Sequence, residues 1–260
     1  MFFNPVPKVQ MTHFSANINK IALLRNTRTS GIPSVIQAAE ICMKAGAHGI
    51  TVHPRPDQRH IRSEDVYALA DMVRVEFNIE GNPFVGHYMK IINKVRPTQC
   101  TLVPDAPRAF TSNQGWDIQR NKKRLSAVIA EMKAAGSRVS LFMDPDSQEF
   151  DAAKEVGAER VELYTEAYAR AYGTSQEERV WKLYAQAAQR AQDAGLGVNA
   201  GHDLNLENLG QFLRIPGILE VSIGHALIAD AIIMGMANAV KAYLKILKDA
   251  APKRVKSRPV

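Results

Sequence analysis

The sequence predicts an α/β protein built as a closed (β/α)8 TIM barrel with additional helices, and three observations point there. A phrase recurs in which a helical stretch ends in a small residue plus glycine and a short apolar run then ends in polar residues. Strand-like and helix-like segments alternate eight times along 260 residues, and such barrels commonly occupy roughly 250 residues. No Gly-rich dinucleotide fingerprint follows the first strand, which argues against an open doubly wound sheet.

Four copies of the phrase are plain: KAGAHGITVHP (44 to 54), AAGSRVSLFMDP (134 to 145), EVGAERVELYTE (155 to 166) and DAGLGVNAGHD (193 to 203). Gly46, Gly136, Gly157 and Gly195 fall where a helix end calls for a left-handed residue, which costs glycine no Cβ clash. The runs after them are short and rich in Val, Ile and Leu, as parallel strands covered by helices on one face and a core on the other require. Weaker copies, HFSANI (13 to 18), FNIEGN (77 to 82), QCTLVP (99 to 104) and ILEVSIGHA (218 to 226), complete eight strands. Helical patterns lie between them, among them SEDVYALADMVRVEF with Ser63 as its N-cap and, after the last strand, one long pattern LIADAIIMGMANAVKAYLKIL. The irregular segment 105 to 117 follows strand four and is expected to act as a lid rather than a plain surface loop.

Composition narrows the function classes. The chain is 46% hydrophobic and 23% charged, enough for one sizeable core, and is read as a single domain over 1–260, with an extension at 1–11 and a basic tail at 250–260. No run reaches the roughly 18 apolar residues of a membrane span, and the first residues lack the order of a secretory signal, so the expected location is cytoplasmic. Cys42 and Cys100 alone cannot build a disulfide framework or a CxxC zinc site. Of the net charge of +7, Lys253, Arg254, Lys256 and Arg258 supply a large part from the tail. The remaining excess suits small anions, and no basic stripe or nucleic-acid motif accompanies it.

A barrel gathers its chemistry where strands end. Strand one ends at Asn17, strand two at His53, strand three at Glu80, strand six near Glu162, strand seven at His202 and strand eight at Gly224 and His225. Each histidine taken alone is as compatible with a hydrogen-bonded structural role; their shared position makes the group a candidate site. Arg25 and Arg28 after strand one, and Arg55, Arg59 and His60 after strand two, form two basic loops suited to two anions, since a guanidinium fork matches phosphate oxygens. Gly201-His202-Asp203 and Gly224-His225-Ala226 sit where barrels often bind phosphate on backbone amides.

The runs NINKIALLRNTR (17 to 28), GITVHPRPDQRHI (49 to 61), FNIE (77 to 80), VSLFMD (139 to 144), VNAGHDLN (198 to 205) and SIGHALI (222 to 228) resemble, in order, the signature segments of the pyridoxine 5′-phosphate synthase family. The resemblance implies a TIM barrel that assembles into octamers. It also implies condensation of 3-amino-2-oxopropyl phosphate with 1-deoxy-D-xylulose 5-phosphate, with loss of inorganic phosphate and water. No metal or organic cofactor is expected, because the substrate amine itself forms an imine with the sugar ketone. By motif match His53 and Glu80 fall on acid/base positions and His202 on a proton donor, with Glu162 as a supporting carboxylate. Asn17, Arg28, Asp203, Gly224 and His225 match contacts to the amino ketone phosphate; Lys20, Arg55, His60 and Thr111 match contacts to the deoxyxylulose phosphate.

Two departures bear on binding. Asn19 and Lys20 stand where many members carry Asp-His, which removes an acid and adds a firm cation, and Asp203 replaces a glycine beside the histidine. Two other classes compete: a metal-dependent barrel hydrolase or isomerase using His53, Glu80, His202 and His225 as ligands, and a non-catalytic phosphometabolite sensor. The absence of HxH and HExxH patterns and the basic loops oppose the first; retention of His53, Glu80 and His202 opposes the second.

Overall fold

The computed structural model describes residues 11–106 and 112–251. The elements run β1 (His13–Asn17), α1 (Asn19–Arg25), α2 (Val35–Lys44), β2 (Gly49–Val52), α3 (Ser63–Met72), β3 (Glu76–Gly81), α4 (Tyr88–Val95), β4 (Gln99–Leu102) and α5 (Ile118–Ala134). Then come β5 (Arg138–Met143), α6 (Phe150–Glu155), β6 (Arg160–Tyr164), α7 (Glu166–Ala171), α8 (Glu177–Asp193), β7 (Gly197–Gly201), α9 (Leu209–Phe212), β8 (Ile218–Ile223), α10 (His225–Met234) and α11 (Met236–Ala250). The strands close into a barrel in sequence order, and β8 pairs parallel with β1 through the register Ser15 to Ser222. The four glycines of the repeated phrase have φ of +105°, +91°, +100° and +76°, as their place after a helix requires.

The apolar core is a sleeve between the strands and the helices, holding Ile50, Ile79, Leu141, Val161 and Leu163 against helix residues such as Leu69, Ile92 and Leu125. Inside the barrel the filling is a polar column. The Ser15 and Thr51 hydroxyls lie 2.7 Å apart, Asn78 Nδ2 donates to Thr51 Oγ1 at 3.3 Å, and Thr101 Oγ1 donates to Asn78 Oδ1 at 3.1 Å. At the N-terminal end Gln99 Nε2 donates to Glu220 Oε1 at 3.1 Å, and the Arg160 guanidinium stands 3.5 Å from the other oxygen of Glu220. Partners of this kind are what allow buried polar groups to replace aliphatic layers without a desolvation cost that would unfold the chain.

Three local expectations are corrected. Ser63 is the first residue of α3 rather than its cap: Arg62 precedes the helix, and its N–H donates to Asp65 at 2.8 Å. The long pattern after β8 is two helices, broken at Gly235, whose backbone at φ +84°, ψ +144° cannot continue a helix. Arg25 is no loop charge: it lies within α1, buried, and pairs with Asp65 while donating to the His60 carbonyl at 3.2 Å. That pairing fixes the basic loop after β2 to α1.

Candidate active site

The C-terminal mouth of the barrel opens on a cavity of about 430 Å³. Its wall brings together Asn17, Asn19, Lys20, His53, Arg55, His60, Glu80, Glu162, His202, Asp203, Gly224 and His225, residues that the sequence scatters over more than two hundred positions. Arg28 is not among them; it stands exposed on the turn after α1. Thr111, with the rest of residues 107–111 of the expected lid, lies outside the described residues.

Backbone geometry sets the candidate groups. Asn19 Oδ1 accepts the His53 N–H at 2.8 Å, and Asn17 Oδ1 accepts the Asn19 N–H at 3.1 Å, so the two asparagines tie the start of α1 to the end of β2. Asn19 thus has a defined job in this chain despite its departure from the common pattern. His53 Nδ1 and Glu80 Oε2 lie 3.8 Å apart, both side chains 7% exposed. Glu162 points into the barrel from within β6, and a Cβ at Gly201 would collide with its carboxylate; glycine there makes room for the acid. Past Gly201 the chain turns through left-handed backbone at His202 (φ +77°) and Asp203 (φ +58°), held by the Thr165 hydroxyl, which hydrogen-bonds the Gly201 and His202 carbonyls. Non-glycine residues in this conformation are uncommon and collect at functional sites.

Burial dominates the electrostatics. It raises Glu80 to about 8, helped by the negative charge of Asp105, and raises Glu162 well above the usual carboxylate range, helped by Glu80 and Glu220. His53 is held well below its ordinary value by burial and then by Arg55, while His60 and His202 fall to about 4, each chiefly through burial. Near neutrality the site therefore holds a protonated carboxyl at Glu80 beside neutral imidazoles, a set able to give and take protons without net charge.

The rim is cationic. Lys20, Arg55 and Arg59 line the cavity, and Arg55, only 4% exposed, is ion-paired with buried Asp105. Ser112 Oγ donates to the same carboxylate at 2.6 Å, bringing the segment before α5 to the site. Gly224 precedes α10 at the wall, where a Cβ built on it would stand only 3.1 Å from the Asn17 side chain. Arg59, read in the sequence as part of the anion-suited basic loop after strand two, joins Tyr164, Ser112, Ser222 and Leu23 as wall residues. Strand alternation from Glu162 would have found Tyr164, and from Gly224 would have found Ser222; nothing local marks Ser112. Among the described residues no group of three or more His, Cys, Asp or Glu side chains is arranged to hold a metal ion.

Residues 14–249 match the family described as pyridoxal phosphate biosynthesis protein PdxJ. The chain is 52% identical over 247 residues to the pyridoxine 5′-phosphate synthase of Xanthomonas axonopodis pv. citri, covering 91% of this chain and 97% of that one. It is 51% identical over 246 residues to the synthase of Albidiferax ferrireducens, with the same coverage. Among solved structures it resembles KGPDC of Streptococcus mutans (TM-score 0.62, 12% identity, 93% of this chain and 99% of that one). It also resembles phosphoribosylanthranilate isomerase of Thermotoga maritima (TM-score 0.59, 13% identity, 92% and 100%). At that identity the structural likeness concerns the fold.

Proposed function

The chain belongs to the family of pyridoxal phosphate biosynthesis protein PdxJ, and on that premise we propose that it is a pyridoxine 5′-phosphate synthase joining 3-amino-2-oxopropyl phosphate to 1-deoxy-D-xylulose 5-phosphate. The observation that carries the reading is one cavity with three proton-exchanging side chains at its floor, His53, Glu80 and His202, beneath a cationic rim. The substrate amine attacks the sugar ketone; the resulting imine makes an enzyme lysine unnecessary as covalent carrier. The residues move protons while phosphate and water leave and the ring closes. Neutral His53 takes a proton from carbon, and protonated Glu80 beside it gives one to a departing oxygen, the division of labour that their opposite displacements support. His202 is neutral in the ligand-free site. Two arriving phosphates add negative charge and lift its proton affinity, so it serves as a donor once substrate is bound.

Lys20, Arg55 and His60 form the deoxyxylulose phosphate side of the cavity, and Asn17, Asp203, Gly224 and His225 the amino ketone side. Arg28 and Thr111 belong to the same scheme by motif alone. Self-association, to an octamer, is supported by bare apolar side chains on α10 and α1: Ile233 is 84% exposed, Ile232 73% and Leu24 51%. No helix among the described residues is long and apolar enough to cross a membrane; a cytoplasmic site of action suits substrates that, as phosphates, do not cross one unaided. Incubating the purified protein with both substrates and recording product by mass and absorbance tests the reading. Pyridoxine 5′-phosphate is the expected product, and its absence with folded protein would refute the assignment.

A further inference from the structure

His202 is enclosed by two aromatic rings. The Phe142 ring, from β5, stands 5.0 Å from the imidazole centroid at 62°, and the Tyr164 ring, from β6, stands 5.3 Å away at 85°. The two aromatic rings touch each other at 5.4 Å. β5, β6 and β7 are neighbours, and Tyr164 is paired in register with Gly201, so three consecutive strands deliver the three rings to one point. His202 Nδ1 is buried there and has no well-formed hydrogen bond among the described residues, although the Gly201 carbonyl acts on the ring from its own chain. Most imidazoles placed for proton transfer have that nitrogen fixed by a carbonyl or carboxylate. Here orientation has a second source. Edge-on aromatic packing supplies it, because the ring edge carries positive and the ring face negative partial charge.

We propose that Phe142 and Tyr164 are positioning residues that clamp the His202 imidazole and wall its Nδ1 off from water, doing by packing what a hydrogen-bonding partner does elsewhere. The clamp rests on the reading of His202 as a proton-transfer group, and it adds Tyr164 and Phe142 to the site's working parts. The charged and titratable groups facing His202 are Asp105 after β4, which favours the protonated ring, and Arg55 after β2, which opposes it. His53, at the end of β2, also feels His202. The Gly201 carbonyl favours protonation too. Enclosure outweighs the favourable pair and keeps the ligand-free ring neutral.

Removing a ring admits water and should release that constraint. The measurement is an NMR titration of ligand-free protein labelled in its seven histidines, with the His202 signal assigned by its loss in His202→Asn. In the wild type the signal stays unprotonated from pH 5 to 8. In Tyr164→Ala its midpoint is expected to rise by about one pH unit or more, a tenfold gain in proton affinity. Tyr164→Phe, which keeps the ring, should titrate as wild type does, and Phe142→Ala should shift in the same direction as Tyr164→Ala. Tyr164 is only half buried, so its variants decide the matter even where Phe142→Ala does not fold. A His202 midpoint unmoved in Tyr164→Ala, or moved equally in Tyr164→Phe, would overturn the clamp. No substrate enters this titration, so failure of the proposed reaction, read separately by product formation, leaves its outcome intact.

Discussion

At the scale of single residues, the convergence of His53, Glu80 and His202 on one cavity was legible in the sequence because each lies at a strand end. Asp105 and Tyr164 were not, because their significance lies in a pairing with Arg55 and in a packing against His202 that no local pattern encodes. His53→Asn, Glu80→Gln and His202→Asn are each expected to lower kcat by roughly 10² to 10⁴ with much smaller changes in KM; full turnover in any of them removes that residue from the proton traffic. The Arg55–Asp105 pair gives a second expectation. Arg55→Ala leaves a buried carboxylate uncompensated, a loss of about 3–5 kcal/mol, and raises KM for deoxyxylulose phosphate more than for the amino ketone phosphate. The double variant Arg55→Ala/Asp105→Ala should recover much of that stability in denaturant unfolding but none of the KM. Joint recovery of both would mean that Arg55 acts on the substrate only through the fold.

At the scale of elements, all eight strands and the glycine turns before four of them could be read from the chain, since helix ends and short Val/Ile/Leu runs carry strong local chemistry. The side on which the polar residues fall was harder. β3 reads Glu-Phe-Asn-Ile-Glu and β6 reads Arg-Val-Glu-Leu-Tyr, an alternation that in most sheets marks a face open to water. In this barrel the polar side faces inward, and Gln99 and Thr101 reach Glu220 and Glu162 across the bore, a long-range arrangement that strand-by-strand reading does not contain. The break between α10 and α11 was likewise hidden, since Gly235 interrupts an otherwise continuous apolar periodicity. Among the described residues nothing lies within 4 Å of a Cβ built at Gly235, so the penalty there is conformational. Gly235→Ala is expected to cost about 1–3 kcal/mol by urea unfolding, and an unchanged midpoint would show that the helices tolerate another junction.

At the scale of the whole molecule, the site's electrostatics make stability depend on pH in two opposed ways. Glu80 and Glu220, raised to about 8 and about 7, hold protons in the folded state that the unfolded chain releases near its ordinary value of 4.5, so they withdraw stability as pH climbs from there to about 8. His60 and His202, lowered to about 4, bind protons in the unfolded chain first and so add stability between about pH 4 and 6.5. Above 6.5 only the carboxylate effect remains, and stability should decline toward pH 8. Glu80→Gln should flatten that decline and stabilise the protein at pH 8 by roughly 1–3 kcal/mol while sacrificing turnover; a thermal unfolding series against pH checks both halves, and a Glu80→Gln variant no more stable than wild type at pH 8 would contradict them. On the proposed function this barrel closes a ring from two phosphorylated substrates by proton transfer alone. The deciding measurement counts pyridoxine 5′-phosphate and inorganic phosphate released by protein exhaustively treated with chelator. Equal amounts of the two are expected when both substrates are supplied, and neither product with one substrate alone. Phosphate release from a single substrate, or activity lost to chelation and restored by one metal, would contradict it.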